Sequence, residues 1–202
     1  MSTRRVVLAS SNAGKLREFS DLLGSTGFEF SRQSDFQIVP PPETGKTFLE
    51  NALIKARNAA RIARLPAIAD DSGIEVDALD GAPGVHSARF AGEDASDEQN
   101  LDKLLRALDG LPAERRTARY RCVIVYVASA DDPAPLVGEG TWEGCIIPGR
   151  RGSGGFGYDP SFVPAGDTRT VAEMPAAEKH AQSHRGQAMR AFLAKFPGRA
   201  RA

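Results

Sequence analysis

Residues 119–128, Arg-Tyr-Arg-Cys-Val-Ile-Val-Tyr-Val-Ala, constrain the fold more than any other stretch of this chain. As a strand they place Tyr120, Cys122, Ile124 and Tyr126 on one face and Val123, Val125 and Val127 on the other, so both faces are apolar for much of the length. Such a strand belongs at the centre of a sheet. Residues 136–147 should pair beside it, and residues 6–9, 67–69 and 74–76 read as further strands.

Helical periodicity alternates with these strands. Thr47-Phe-Leu-Glu50 has the form of a capping box, and the apolar stripe Phe48, Leu49, Ala52, Leu53, Ala56, Ala59, Ala60 and Ala63 follows it before Pro66. Ser96-Asp-Glu-Gln99 opens a second helix to about Leu108. A short helix is predicted over 15–23, ended by Gly24, and a last one over 182–196. The class is therefore α/β with a mixed sheet.

A length of 202 residues, 41% of them hydrophobic, allows one good core or two small lobes and buries about 70% of the unfolded surface. No long linker or repeat divides residues 1–202, which read as a single domain. Twenty-six basic residues balance twenty-six acidic ones, so no global field favours nucleic acid or an anionic membrane, and any anion site must be local. No apolar run approaches the roughly 20 residues of a membrane span. Residues 6–9 are too short for a signal-peptide core, and a cytoplasmic protein is the expectation. Cys122 and Cys145 have neither CxxC spacing nor a framework of partners, and read as buried free thiols.

Four stretches carry possible chemistry. In Ser10-Ser11-Asn12-Ala13-Gly14-Lys15 the Walker P-loop pattern fails, because Ala9 stands five residues before Gly14 and Leu16 follows Lys15. Small hydrogen-bonding residues, a glycine and a lysine at a helix start still suit an anion. The alternative is an N-capped turn with a solvated lysine. In Ala69-Asp70-Asp71-Ser72-Gly73 the two adjacent acids point to opposite sides if extended. One can then face a ligand, holding Mg²⁺ or a water, while the other turns inward; a plain acidic turn is the alternative. Glu43 and Glu50 flank the capped helix, and the cap alone accounts for Glu50.

Residues 152–162, Gly-Ser-Gly-Gly-Phe-Gly-Tyr-Asp-Pro-Ser-Phe, combine glycines able to follow a flat ligand with the rings of Phe156 and Tyr158. A base stacked on such a ring gains about 1 to 3 kcal/mol; a hairpin or flexible loop is the alternative. Finally, Lys179, His184 and Arg185 cluster before or within the first turn of the last helix. Either they read a base edge or phosphate, or they form a solvated basic face.

In order and wording these stretches resemble the inosine triphosphate pyrophosphatases, which hydrolyse non-standard purine nucleoside triphosphates. The resemblance spans nearly the whole chain and rests on SSNAGK, ETGKTFLENALIKA, LPAIADDSG, GAPGVHSARFAG, GGFGYDPSF and EKHAQSHRGQA, with the bacterial branch fitting best. It implies a long central sheet, two lobes around a nucleotide-binding cleft, and a homodimer. It further implies that Ser10, Ser11, Asn12, Ala13, Gly14 and Lys15 contact the phosphates and that Asp71 is the catalytic carboxylate. Asp71 and Glu43 would hold Mg²⁺, and Ser72 would touch substrate. Phe156, Gly157, Tyr158 and Asp159 would hold the nucleoside, with Lys179, His184 and Arg185 completing the base pocket. Family members often carry two glutamates before Thr-Gly, where this chain has Pro42-Glu43.

The implied reaction is attack of water on the α-phosphorus of ITP, dITP or XTP, giving a monophosphate and pyrophosphate. A pyrimidine-directed enzyme or a non-catalytic nucleotide- or RNA-binding module is the competing reading.

Overall fold

The computed structural model describes residues 4–12, 14–16, 18–19 and 28–195. Among these, six strands form one mixed sheet in the order β2-β1-β3-β4-β5-β6. They are β1 (Arg4–Leu8), β2 (Phe28–Arg32), β3 (Ala67–Val76), β4 (Thr117–Val127), β5 (Leu136–Ile146) and β6 (Phe162–Pro164). The pairs β1·β2 and β1·β3 are parallel and β5·β6 is antiparallel. The helices are α1 (Phe48–Ala63), α2 (Asp97–Ala107), α3 (Ala176–Gln182) and α4 (His184–Lys195). None is long and apolar enough to cross a membrane.

The strand apolar on both faces takes its expected inner place: β4 lies between β3 and β5. Both capping boxes form as their spacing demands, Thr47 Oγ1 accepting from the Glu50 N–H and Ser96 Oγ from the Gln99 N–H. Helical backbone at residues 14–16, 18 and 19 agrees with the first expected helix; the rest of that helix, and Gly24, lie outside the described residues.

Two expectations need correction. The stretch Asp70-Asp71-Ser72-Gly73 is no turn between strand pieces, because β3 runs unbroken through it. Its acids stay extended since each finds a cation inside the protein. The last helix is also two helices: Ser183, at φ −62° and ψ 156°, ends α3 with its N–H on the Lys179 carbonyl, and α4 starts at His184. Lys179 therefore belongs to α3. Phe196 lies outside the described residues.

The chain divides into two compact units. The first comprises the described residues through Asp71, Cys122–Gly140 and those from Arg185 onward. Its core joins Val6, Leu8, Phe19, Ile68, Cys122 and Ile124 to Ala188, Met189 and Phe192 of α4. Cys122 is a buried free thiol, pushed up to about 12 by burial, whereas Cys145 is free but only half-buried. The second unit comprises Ser72–Arg121 and Thr141–His184. Its core gathers Leu101, Leu104 and Leu108 of α2 with Tyr120, Trp142, Tyr158 and Phe162.

Within the first unit α4 lies so close to β5 that Gly138 has no room for a side chain. A Cβ there would overlap the Ala188 carbonyl oxygen and stand 2.6 Å from both N and Cβ of Phe192. Gly138→Ala must push helix and strand apart, so we expect a loss of about 1–3 kcal/mol, measured by chemical denaturation.

Candidate active site

The first unit gathers the charged groups around the two adjacent acids. Alternation along β3 sends them to different partners. The Asp70 Oδ2 atom is 3.0 Å from Lys15 Nζ and 3.4 Å from Arg185 Nη2, and Arg185 Nη1 also donates to Glu18. Burial alone would raise the Asp70 carboxyl, but Lys15, then Arg185 and Lys55, hold it well below the usual range. Asp70 is thus a permanent anion.

Asp71 faces a different set. Its Oδ1 accepts from Lys55 Nζ at 2.9 Å, and the same ammonium donates to Glu43 Oε1 at 2.8 Å. Its Oδ2 accepts from Asn51 Nδ2 at 3.3 Å, while Asn51 Oδ1 takes the Gly45 N–H at 2.8 Å. Burial raises the Asp71 carboxyl above its ordinary value despite Lys55 and Lys15. One asparagine, wholly buried in α1, ties the loop carrying Glu43 to Asp71.

The opening turn is N-capped, as one of its two readings required. Asn12 Oδ1 accepts the Lys15 N–H at 3.0 Å and Ser10 Oγ the Asn12 N–H at 3.3 Å. Lys15 is nevertheless not a solvated lysine, since its ammonium is directed onto Asp70. Ser11 is exposed, Ser10 and Gly14 are half-buried, and Ala13 lies outside the described residues. Glu50 stays with the cap, its Oε2 accepting from the Lys46 and Thr47 N–H groups at 2.6 and 3.1 Å.

The second unit holds the aromatic loop. Asp159, buried, accepts from Tyr120 Oη on Oδ1 at 3.0 Å, and on Oδ2 from the Phe156 N–H at 3.0 Å and Lys179 Nζ at 2.8 Å. The Lys179 ammonium also lies 4.6 Å from the Phe156 ring centroid, a cation–π arrangement. Gly155, at φ +72°, is required because a Cβ there would overlap the Asp159 carboxylate. The Gly157 N–H donates to Asp97 Oδ2 at 2.9 Å. His184 stacks on Tyr120, with centroids 4.6 Å apart and planes at 10°. Ser72 follows Asp71 in β3 and is half-buried.

Two side chains are placed differently from the base-pocket expectation. Tyr158 is 5% exposed and its hydroxyl donates to the Ser87 carbonyl, so the half-buried Phe156 ring is the one left to stack. Arg185 is 1% exposed and engaged by Glu18 and Asp70. The sequence reading missed Asn51, Lys55, Asp97 and Tyr120. Asn51 carried a usable signal: it falls on the alanine-rich stripe of α1, where a polar residue needs an internal partner, and Lys55 stands one turn further along.

Among the described residues no three His, Cys, Asp or Glu side chains gather to hold a metal unaided. Glu43 and Asp71 do converge on one cation, the Lys55 ammonium. Two carboxylate oxygen donors completed by phosphate oxygens and waters are the set Mg²⁺ favours, so these residues fit that ion.

The Ham1 family model matches residues 6–195. The chain belongs to the Ham1 family. It is 59% identical to a dITP/XTP pyrophosphatase of Methylococcus capsulatus, over 92% of each chain. It is 50% identical to the dITP/XTP pyrophosphatase of Escherichia coli strain K12, over 94% of this chain and 96% of that one. A solved HAM1 protein from Coxiella burnetii shares 46% identity and superposes with a TM-score of 0.89, covering 95% of this chain and 98% of that one.

The adjacent acids should respond unequally to neutralisation. The low folded-state value of Asp70 means that its charge stabilises the fold at neutral pH, a contribution lost only as pH falls through that low value. Asp70→Asn removes the anion shared by Lys15 and Arg185 and should cost about 3–5 kcal/mol. Asp71→Asn should cost clearly less, since Glu43 still pairs Lys55 and burial already disfavours the charge. Urea denaturation of both variants at neutral pH checks the contrast.

Proposed function

We propose that this protein hydrolyses non-standard purine nucleoside triphosphates, ITP, dITP and XTP, to the monophosphate and pyrophosphate. The observation that carries this reading is the convergence of Glu43 and Asp71 on one cation, the Lys55 ammonium. The names of the similar enzymes supply the substrate class.

A triphosphate brings several negative charges that must be neutralised before water can approach the α-phosphorus. When bound by Glu43 and Asp71, Mg²⁺ supplies positive charge against the polyphosphate oxygens. Lys15 and the amides of its turn meet the leaving pyrophosphate. The Asp71 carboxylate, steered by Asn51, orients the attacking water and receives its proton. The water oxygen bonds to the α-phosphorus as the bridge to the β-phosphate breaks, and pyrophosphate leaves with that bridging oxygen.

Base choice falls to Phe156, Lys179 and His184. Hypoxanthine and xanthine carry a 6-keto acceptor where adenine carries a 6-amino donor, so donors at Lys179 and His184 favour the former, and the Phe156 ring offers a stacking face. A mismatched base would leave buried polar groups unpaired. The resemblance drawn from the sequence further implies a homodimer, checked by light scattering, and a place in the cytoplasm.

Incubation with ITP, dITP, XTP, GTP and ATP, with separate detection of pyrophosphate and orthophosphate, tests the reading. We expect pyrophosphate from the first three, its loss on chelation by EDTA, and its restoration by Mg²⁺. Orthophosphate as first product, or preference for dTTP, would overturn it. Asp71→Asn should abolish turnover with modest loss of nucleotide affinity, read by equilibrium binding beside the rate.

A further inference from the structure

Tyr120 enters the second unit as an ordinary core residue. It stands on β4, is 7% exposed, and packs its ring on Phe162 at a centroid distance of 4.7 Å. A phenylalanine would fill that space equally well. The hydroxyl adds a polar contact to that packing, donating to Asp159 Oδ1 at 3.0 Å.

That bond has leverage because a carboxylate is planar. With Oδ1 fixed by Tyr120, Oδ2 stays aimed at Lys179 Nζ and the Phe156 N–H, at 2.8 and 3.0 Å. The carboxylate thereby sets both the ammonium and the start of the aromatic loop. Lys179 in turn stands over the Phe156 ring, so both residues take their places from one anchored anion. The other face of the anchor matters too, because the same tyrosine ring stacks on His184. One side chain of the sheet thus touches the carboxylate holding Lys179 and the imidazole expected to help read the base.

We propose that Tyr120 is a positioning residue for purine selection, its hydroxyl and ring fixing Lys179 and His184 in a single arrangement through Asp159 and direct stacking. This rests on the function proposed above and deepens it. Discrimination between a keto and an amino group at one ring position requires donors that cannot shift to accommodate the wrong partner. Removing the hydroxyl leaves the ring stack intact but takes away the Oδ1 hold on the Asp159 carboxylate, so that only the two Oδ2 bonds set its plane and the place of Lys179. The reacting groups Asp71 and Glu43 belong to the first unit and are untouched.

The test compares Tyr120→Phe and Tyr120→Leu with the unaltered protein on ITP, XTP and ATP. Steady-state kinetics are measured beside thermal unfolding. For Tyr120→Phe we expect KM for ITP and XTP to rise about five- to tenfold with kcat within about twofold, as loss of a hydrogen bond to a carboxylate predicts. The preference for ITP over ATP should fall by a similar factor. Tyr120→Leu, which also removes the stack on His184, should lose more selectivity than Tyr120→Phe.

Unchanged KM and unchanged ITP-to-ATP preference in Tyr120→Phe overturn the proposal, whatever happens to the melting temperature. A fall in kcat and melting temperature without any change in preference assigns Tyr120 a purely structural role and overturns it as well. Failure of the unaltered protein to hydrolyse ITP or XTP overturns the underlying function, a result distinct from normal turnover with unaltered preference.

Discussion

Placing two carboxylates side by side on one uninterrupted strand is the constraint around which the first unit is organised. Extended backbone forces Asp70 and Asp71 to opposite sides, and neither side is water. Each buried anion then demands a cation of its own, because an unpaired charge in such a place costs several kcal/mol. Lys15 and Arg185 answer one demand and Lys55 the other. The two answers differ in kind: Asp70 is locked in an ionised state that serves the fold, whereas Asp71 shares its cation with Glu43 and is held by burial above its ordinary range.

The second unit repeats the device with different parts. There Asp159 is the buried anion, and its donors are a phenol, a backbone amide and an ammonium. Gly155 beside it serves close approach, since any Cβ there would overlap the Asp159 carboxylate. In both units a buried acid sets a lysine: Asp70 directs Lys15, and Asp159 directs Lys179. Polar groups of this kind specify one arrangement when every donor has its acceptor.

Elements governed by local rules were legible in the sequence. The strand 119–128, the two capping boxes and the alanine stripe of α1 each depend on neighbours within a few residues, and each formed. What escaped depends on contacts distant along the chain. Asp70-Asp71-Ser72-Gly73 has the composition of a turn, and only Lys15, Lys55 and Arg185 make an extended path affordable. Ser183 splits the last helix, a break foreshadowed only by a serine of N-cap type before His184. Asn51 and Tyr120 escaped for a further reason: an amide inside a helix and a tyrosine in a hydrophobic strand look like packing until their partners are known.

Arg185 has one more consequence. It reaches Glu18 across 167 positions of sequence and closes on Asp70 beside the opening turn. Synthesis proceeds from the amino end, so Glu18 and Asp70 emerge long before the guanidinium that joins them is made. The contact that joins Glu18 and Asp70 through Arg185 cannot close until residue 185 has been made.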